Sequence, residues 1–114
     1  MTDDCVFCRI VAGTEPAKQV YQDDRAIGIV PLNPVTPGHL LAIPRRHARD
    51  FDESWFATTD ATHAAFQMVR LLLSGQHYNV ITSAGRTATQ TIEHLHIHIV
   101  PRREGDGLKL PWSP

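Results

Sequence analysis

The sequence predicts an α+β domain, an antiparallel sheet carrying one main helix on one face. Three observations point there. Short β-rich segments outnumber helical ones. The connections between them are mostly too short for βαβ crossovers, so neighbouring strands should run antiparallel. One stretch alone keeps a long helical period, with Ala61, Ala65, Met68, Val69, Leu72 and Leu73 recurring at spacings of three and four.

Taken in order, Cys5 to Gly13 reads as a short helical turn or knuckle ended by Gly13. Val20-Tyr21-Gln22 is a short β-rich segment, and Asp23-Asp24 turns the chain. Ala26 to Val30 suits a strand. Pro31 to His39 holds three prolines, which fix φ and remove donors, so it is an ordered loop. Leu40 to Ile43 is a second strand ended by Pro44. Phe51 to Phe56 reads as a lead-in turn to the helix, which Thr58 or Thr59 would cap and Ser74-Gly75 would end. Met68 falls in the apolar stripe and reads as core filler, with His63 on the solvated side. Tyr78 to Thr82 is the next strand, and the polar run Ser83 to Thr91 is a loop. Arg102 to Gly107 reads as a flexible turn, and Leu108 to Trp112 ends the chain with exposed apolar groups.

At 114 residues the chain suits one domain, 1–114. The hydrophobic fraction of 42% provides a core, and the formal net charge of −1 gives no basic field for a nucleic-acid partner. No apolar run reaches the length of a membrane span. The start, Met1-Thr2-Asp3-Asp4, is acidic where a secretory signal is basic and then apolar, so a cytoplasmic location is expected. Cys5 and Cys8 form a C-x-x-C pair. In a reducing compartment that spacing indicates a metal half-site or a redox pair rather than a structural disulfide.

The densest chemistry lies in His94-Leu95-His96-Ile97-His98-Ile99-Val100. On a strand, alternate side chains share one face, about 6.5–7 Å apart. The three imidazoles would stand in a row, with Leu95, Ile97 and Ile99 turned into a core. A single buried histidine is usually structural. Three in a row are costly to desolvate, and each needs a partner.

This heptapeptide resembles the histidine-triad (HIT) signature, in which histidines alternate with apolar residues. The resemblance extends through Cys5 to Ile10, Asn33 to His39, Ile43 to His47, and Gln90-Thr91 just ahead of the triad. It covers nearly the whole chain. The branch it resembles is the small nucleoside phosphoramidase and dinucleoside-polyphosphate hydrolase type. That resemblance implies about five antiparallel strands with a helix, a homodimer, and a purine nucleotide substrate.

It also implies roles. His96 is the nucleophile that attacks the α-phosphorus, forming a nucleotidyl-histidine that water then hydrolyses. Imidazole suits this, being largely neutral at pH 7. His98 binds phosphate and helps protonate the leaving group. Gln90 and Thr91 donate to phosphate oxygens, although both also fit simple loop polarity. Cys5, Cys8, His47 and His94 are the implied zinc ligands. Four protein ligands make such a zinc structural, with no open position for water. The redox alternative for the cysteines predicts a thioredoxin-like βαβ context, and none is visible. His39 is assigned no definite role.

The chain departs from the family pattern at three positions. Pro31 stands where many members carry an Asp or Asn that holds the ribose, leaving Asn33 as the substitute. Ser83 and Thr89 stand where an Asn and a Gly are usual. Ser83 keeps a hydroxyl for substrate, whereas Thr89 loses glycine's freedom to bring its N–H close to phosphate. Three rivals follow: a nucleotide-binding regulatory module with little turnover, a nucleotidyl transferase, and a catalytic metal held by the three histidines. Trp112 either covers a dimer partner's pocket or lies on a plain surface.

Overall fold

The computed structural model describes residues 4–113. The acidic start at Met1 to Asp3 therefore lies outside the described residues. Five strands form one sheet: β1 (Lys18–Gln22), β2 (Ala26–Val30), β3 (Leu40–Pro44), β4 (His77–Ile81) and β5 (Ile97–Arg102). Their spatial order is β1-β2-β3-β5-β4, and every neighbouring pair is antiparallel. The α+β class and the antiparallel sheet are as expected. No helix of the described residues is long and apolar enough to cross a membrane.

A helix lies against each face. The short α1 (Val6–Ala12) ends at Gly13, whose left-handed φ of 83° lets its N–H close back onto the carbonyls of Arg9 and Ile10. Phe7 and Ile10 pack with Ile27, Ile29, Leu41 and Ile43 on one side of the sheet. The long α2 (Trp55–Leu72) covers the other side, where Ala57, Ala61, Ala64, Ala65 and Met68 meet Ala26, Ala42, Leu95, Ile97 and Ile99. Small residues on both surfaces let helix and sheet approach closely. Gly28 of β2 is the tightest point: a Cβ there would lie 2.5 Å from Met68 Cε and 2.6 Å from its Sδ. Met68 is fully buried, as its place in the stripe predicts.

Three boundaries differ from the sequence reading. The helix starts at Trp55, and its cap is Ser54, whose hydroxyl accepts from the Ala57 N–H at 3.2 Å. Thr58 does not cap; its hydroxyl donates to the Phe51 carbonyl inside the preceding turn. The turn Arg102 to Gly107 is tied down rather than flexible. Asp106 accepts from Arg102 Nε at 2.9 Å, from the Arg103 N–H at 2.9 Å and from the Leu108 N–H at 3.0 Å.

The third correction concerns the histidines. β5 begins only at Ile97, so His94 and His96 precede the ladder, and only His98 lies in the strand. The last β3–β5 pair is Ala42 with Ile97. Beyond it the Pro44 carbonyl is taken by the His94 side chain, not by a strand partner. The side-chain alternation nonetheless persists. Leu95, Ile97 and Ile99 are buried in the α2-side core, while the rings of His94 and His96 rest against Phe7 on the α1 side.

Candidate functional site

The first cluster gathers residues from three parts of the chain. Cys5 caps α1 and Cys8 lies in its first turn, both placed by the helix. His47 sits in the loop after β3. His94 is fully buried in the bend before β5. Cys5 Sγ is 3.3 Å and Cys8 Sγ 3.5 Å from His94 Nδ1; Cys8 Sγ is 3.2 Å from His47 Nδ1; the two Nδ1 atoms are 3.1 Å apart. All four donor atoms lie within 4.8 Å of one another.

The donor chemistry fits zinc. A tetrahedron with Zn–N of about 2.0 Å and Zn–S of about 2.3 Å has edges of roughly 3.3–3.8 Å. The His94 ring is also set in the right tautomer. Its Nε2–H donates to the Pro44 carbonyl at 2.9 Å, which leaves the Nδ1 lone pair facing the sulfurs. Burial, with His47 and His96 nearby, lowers the His94 pKa to about 4, against the effect of the Pro44 bond, so the ring is neutral. Burial and the neighbouring Cys5 push the Cys8 thiol upward, which a bound cation would reverse.

The second cluster is His96, His98 and His39. His96 Nδ1 is 2.8 Å from the His94 carbonyl, which can only accept, so Nδ1 carries the proton. Nε2 is then the lone-pair nitrogen. Burial lowers the pKa of His96, keeping that lone pair available at neutral pH. The His96 and His98 rings meet edge to face at 5.1 Å.

His39 is what sequence reasoning left without a role. It is buried on the approach to β3, and the Val35 N–H donates to its Nδ1 at 3.1 Å. Its Nε2 must therefore carry the proton, which it donates to His98 Nδ1 at 3.0 Å. His98 is left with its proton on Nε2, as a donor. Burial first, then His96 and His39, lowers the His98 pKa to about 4. This chain of two imidazoles gives His98 and His96 opposite outward characters, one a donor and the other a nucleophile. The signal in sequence was the second histidine-bearing loop, Thr36 to His39, but its pairing with His98 spans 59 residues.

The remaining candidates divide. Ser83 and His98 line one cavity of about 270 Å³, together with His39 and Thr89. Asn33 is exposed in the β2–β3 loop and does not line that cavity. Thr91 is exposed and lies beside Cys5 and His47 instead. Gln90, expected to donate to phosphate, is engaged within the protein. Its Nε2 donates to the carbonyls of Arg49 (2.7 Å) and Ile92 (3.0 Å), and its Oε1 accepts from the Gly85 N–H at 2.9 Å. Both amide hydrogens are spent, so Gln90 braces the loop. Thr89, next to it, is the one described non-glycine residue with positive φ, at 71°.

Comparison with known proteins gives concordant results. The HIT domain family profile matches residues 12–105. An adenylylsulfatase of Arabidopsis thaliana is 33% identical over 112 residues, covering 95% of this chain and 57% of the relative. An adenosine 5′-monophosphoramidase of Schizosaccharomyces pombe is 30% identical over 109 residues, covering 95% of this chain and 82% of the relative. The crystal structure of a zinc-bound histidine triad family protein from Mycobacterium smegmatis superposes with a TM-score of 0.81 at 35% identity, covering 100% of this chain and 86% of that one.

Proposed function

This chain belongs to the HIT domain family, and on that premise we propose that it is a nucleotide hydrolase acting at the α-phosphate of a nucleoside phosphoramidate or a dinucleoside polyphosphate. The observation that carries the reading is the His96 ring, pinned through Nδ1–H to the His94 carbonyl so that Nε2 is free to attack. The relatives named for phosphoramidate and adenylylsulfate cleavage act on the same kind of bond, a phosphorus–heteroatom bond at an adenylate.

In the proposed reaction, His96 Nε2 forms a bond to the α-phosphorus and the bond to the leaving group breaks. The leaving group takes the electron pair, and His98 Nε2–H supplies a proton where an amine departs. Water then attacks the phosphorus and loses a proton, which restores His98 where an amine has left and otherwise passes to solvent; the P–N bond to His96 breaks, and a nucleoside monophosphate leaves. His39 acts by orientation, since its Nε2–H holds the acceptor nitrogen of His98. Ser83 borders the same cavity and offers a hydroxyl. Asn33, Gln90 and Thr91 are not assigned to substrate.

Zinc at Cys5, Cys8, His47 and His94 would be structural in this reading, because four protein ligands close the coordination. It would join α1 to the bend that carries His96. We further read the protein as a homodimer. β4 is an edge strand, and Phe66 of α2, Tyr78 and Val80 are exposed along one apolar groove of about 430 Å³. A second copy would cover both.

The deciding experiment follows AMP release from adenosine 5′-phosphoramidate and from diadenosine tetraphosphate, beside His96→Ala. The parent should release AMP and the variant should lose at least a thousandfold in rate. Binding of AMP without turnover in the parent would favour a regulatory binding module. Equal rates in parent and variant would remove His96 from the chemistry.

A further inference from the structure

The cavity beside His98 has a wall that the proposed reaction leaves unused. It is made by the C-terminal segment, through Leu108, Lys109 and Leu110. That segment is fastened by one clasp. Arg102 Nη1 donates to Asn79 Oδ1 at 2.7 Å on β4, and Nη2 donates to the Leu108 carbonyl at 2.9 Å. Asp106 closes the clasp from below, accepting from Arg102 and from the Leu108 N–H. It sits between Gly105 and Gly107, both at positive φ (75° and 76°), which allows the chain to fold back this tightly.

The clasp also settles the local charge. Two cationic side chains line the cavity, Arg102 and Lys109, and no carboxylate does. Arg102 is neutralised by Asp106 at 2.9 Å. Lys109 takes part in none of the ion pairs among the described residues. Lys109, exposed and without an ion-pair partner among the described residues, thus lines the same cavity as His98, Ser83 and Thr89, on a segment tied to β5 through the Arg102–Leu108 bond.

Resting on the hydrolase reading above, we propose that Lys109 is a specificity-determining residue, selecting leaving groups that carry negative charge. When the α-phosphorus bond to a bridging oxygen breaks, the electron pair goes to that oxygen. A sulfate or a phosphate chain therefore gains one negative charge as it departs, and an ammonium within reach of it is worth more in the transition state than before it. An amine leaving group takes a proton and departs neutral, so Lys109 gives it no such help. The shared chemistry is a compact oxyanion next to the α-phosphate.

The test compares kcat/KM for adenosine 5′-phosphosulfate and diadenosine tetraphosphate with that for adenosine 5′-phosphoramidate, in the parent, Lys109→Met and Lys109→Arg. Lys109→Met should lower the anionic-to-amine ratio about tenfold, the size of one charge-assisted contact. Lys109→Arg should hold it within about threefold, since the charge remains. A fall confined to the sulfate or to the tetraphosphate identifies which oxyanion the cavity serves. A ratio unmoved by Lys109→Met overturns the proposal. A binding arm separates this from failure of the hydrolase reading: calorimetry with adenosine 5′-(α,β-methylene)diphosphate and with AMP. The parent should bind the diphosphate analogue more tightly, and Lys109→Met should narrow that gap. That result without turnover sinks the hydrolase and keeps the subsite, whereas equal affinities in the parent sink the subsite.

Discussion

With zinc held at Cys5, Cys8, His47 and His94 as proposed, Cys8→Ala should abolish any dependence of stability on zinc. Cys8 is 8% exposed, and its sulfur is within 3.5 Å of both His47 Nδ1 and His94 Nδ1, so it stands between the two imidazoles. With free zinc at 100 to 1,000 times its dissociation constant, binding to the folded state alone contributes about 2.7–4.1 kcal/mol. One kcal/mol moves the melting temperature by roughly 4 °C for a domain of this size. Chelation should therefore lower the parent's Tm by about 11–16 °C. Cys8→Ala also loses the packing of its sulfur, a further cost of about 1 kcal/mol. It should melt within about 4 °C of the chelated parent and respond to neither zinc nor chelator. Scanning calorimetry with native mass spectrometry for the metal count reads both quantities. One zinc retained by Cys8→Ala at the parent's Tm would refute the ligand set. Loss of turnover on chelation with Tm unmoved would place the metal in the reaction instead.

Three further outcomes are expected. Gly28→Ala should cost about 1–3 kcal/mol in denaturant unfolding, because its methyl meets the buried Met68 thioether; combined with Met68→Ala, the two losses should sum to less than their separate values. Thr89→Gly should raise stability by about 0.5–1 kcal/mol, since relief of the positive φ outweighs glycine's greater unfolded-state entropy; a lower Tm would show that the Thr89 side chain holds the loop. Burial acts to raise the Asp23 pKa, but the Tyr21 hydroxyl at 2.7 Å and the N–H groups of Arg25 and Ala26, each at 2.8 Å, lower it overall. The folded pKa thus lies below the unfolded one, so this stabilisation is present above about pH 4 and fades as pH falls through the folded value. The stability gap between the parent and Asp23→Asn should shrink over that range, and a gap constant from pH 6 to pH 2 would contradict it.

What could be read from the sequence was what local pattern encodes. Short continuous apolar runs placed β2 and β3 almost to the residue, and the α2 stripe followed from its three-and-four spacing. The alternation of His94, Leu95, His96, Ile97 and His98 assigned their faces correctly even where the ladder had ended. Features that depend on partners far along the chain were not legible. Nothing near Pro44 announces that its carbonyl would go to His94, 50 residues on, and shorten β5. Gln90 looked like a free donor because its brace, the Arg49 carbonyl, is 41 residues away. His39 had no role until Val35 and His98 showed which of its nitrogens carries the proton. The cap of α2 was misplaced for a local reason: Ser54 and Thr58 are both good capping residues, and only the turn at Phe51 decides between them.

The Cys5–His94 contact spans 89 residues, and that span bears on the order in which the molecule assembles. Closing a loop of that size costs about 4 kcal/mol of chain entropy, while the β1–β2 hairpin closes over three residues and the β2–β3 hairpin over nine. Local pairings of this kind form early, and contacts of high sequence separation form late. The four-residue cluster should therefore complete only after the sheet exists, by docking α1 onto a surface already built. A chain made where zinc is scarce would then hold a finished sheet with an undocked first helix, and rescue by added metal would be a fast closing step rather than a full refolding.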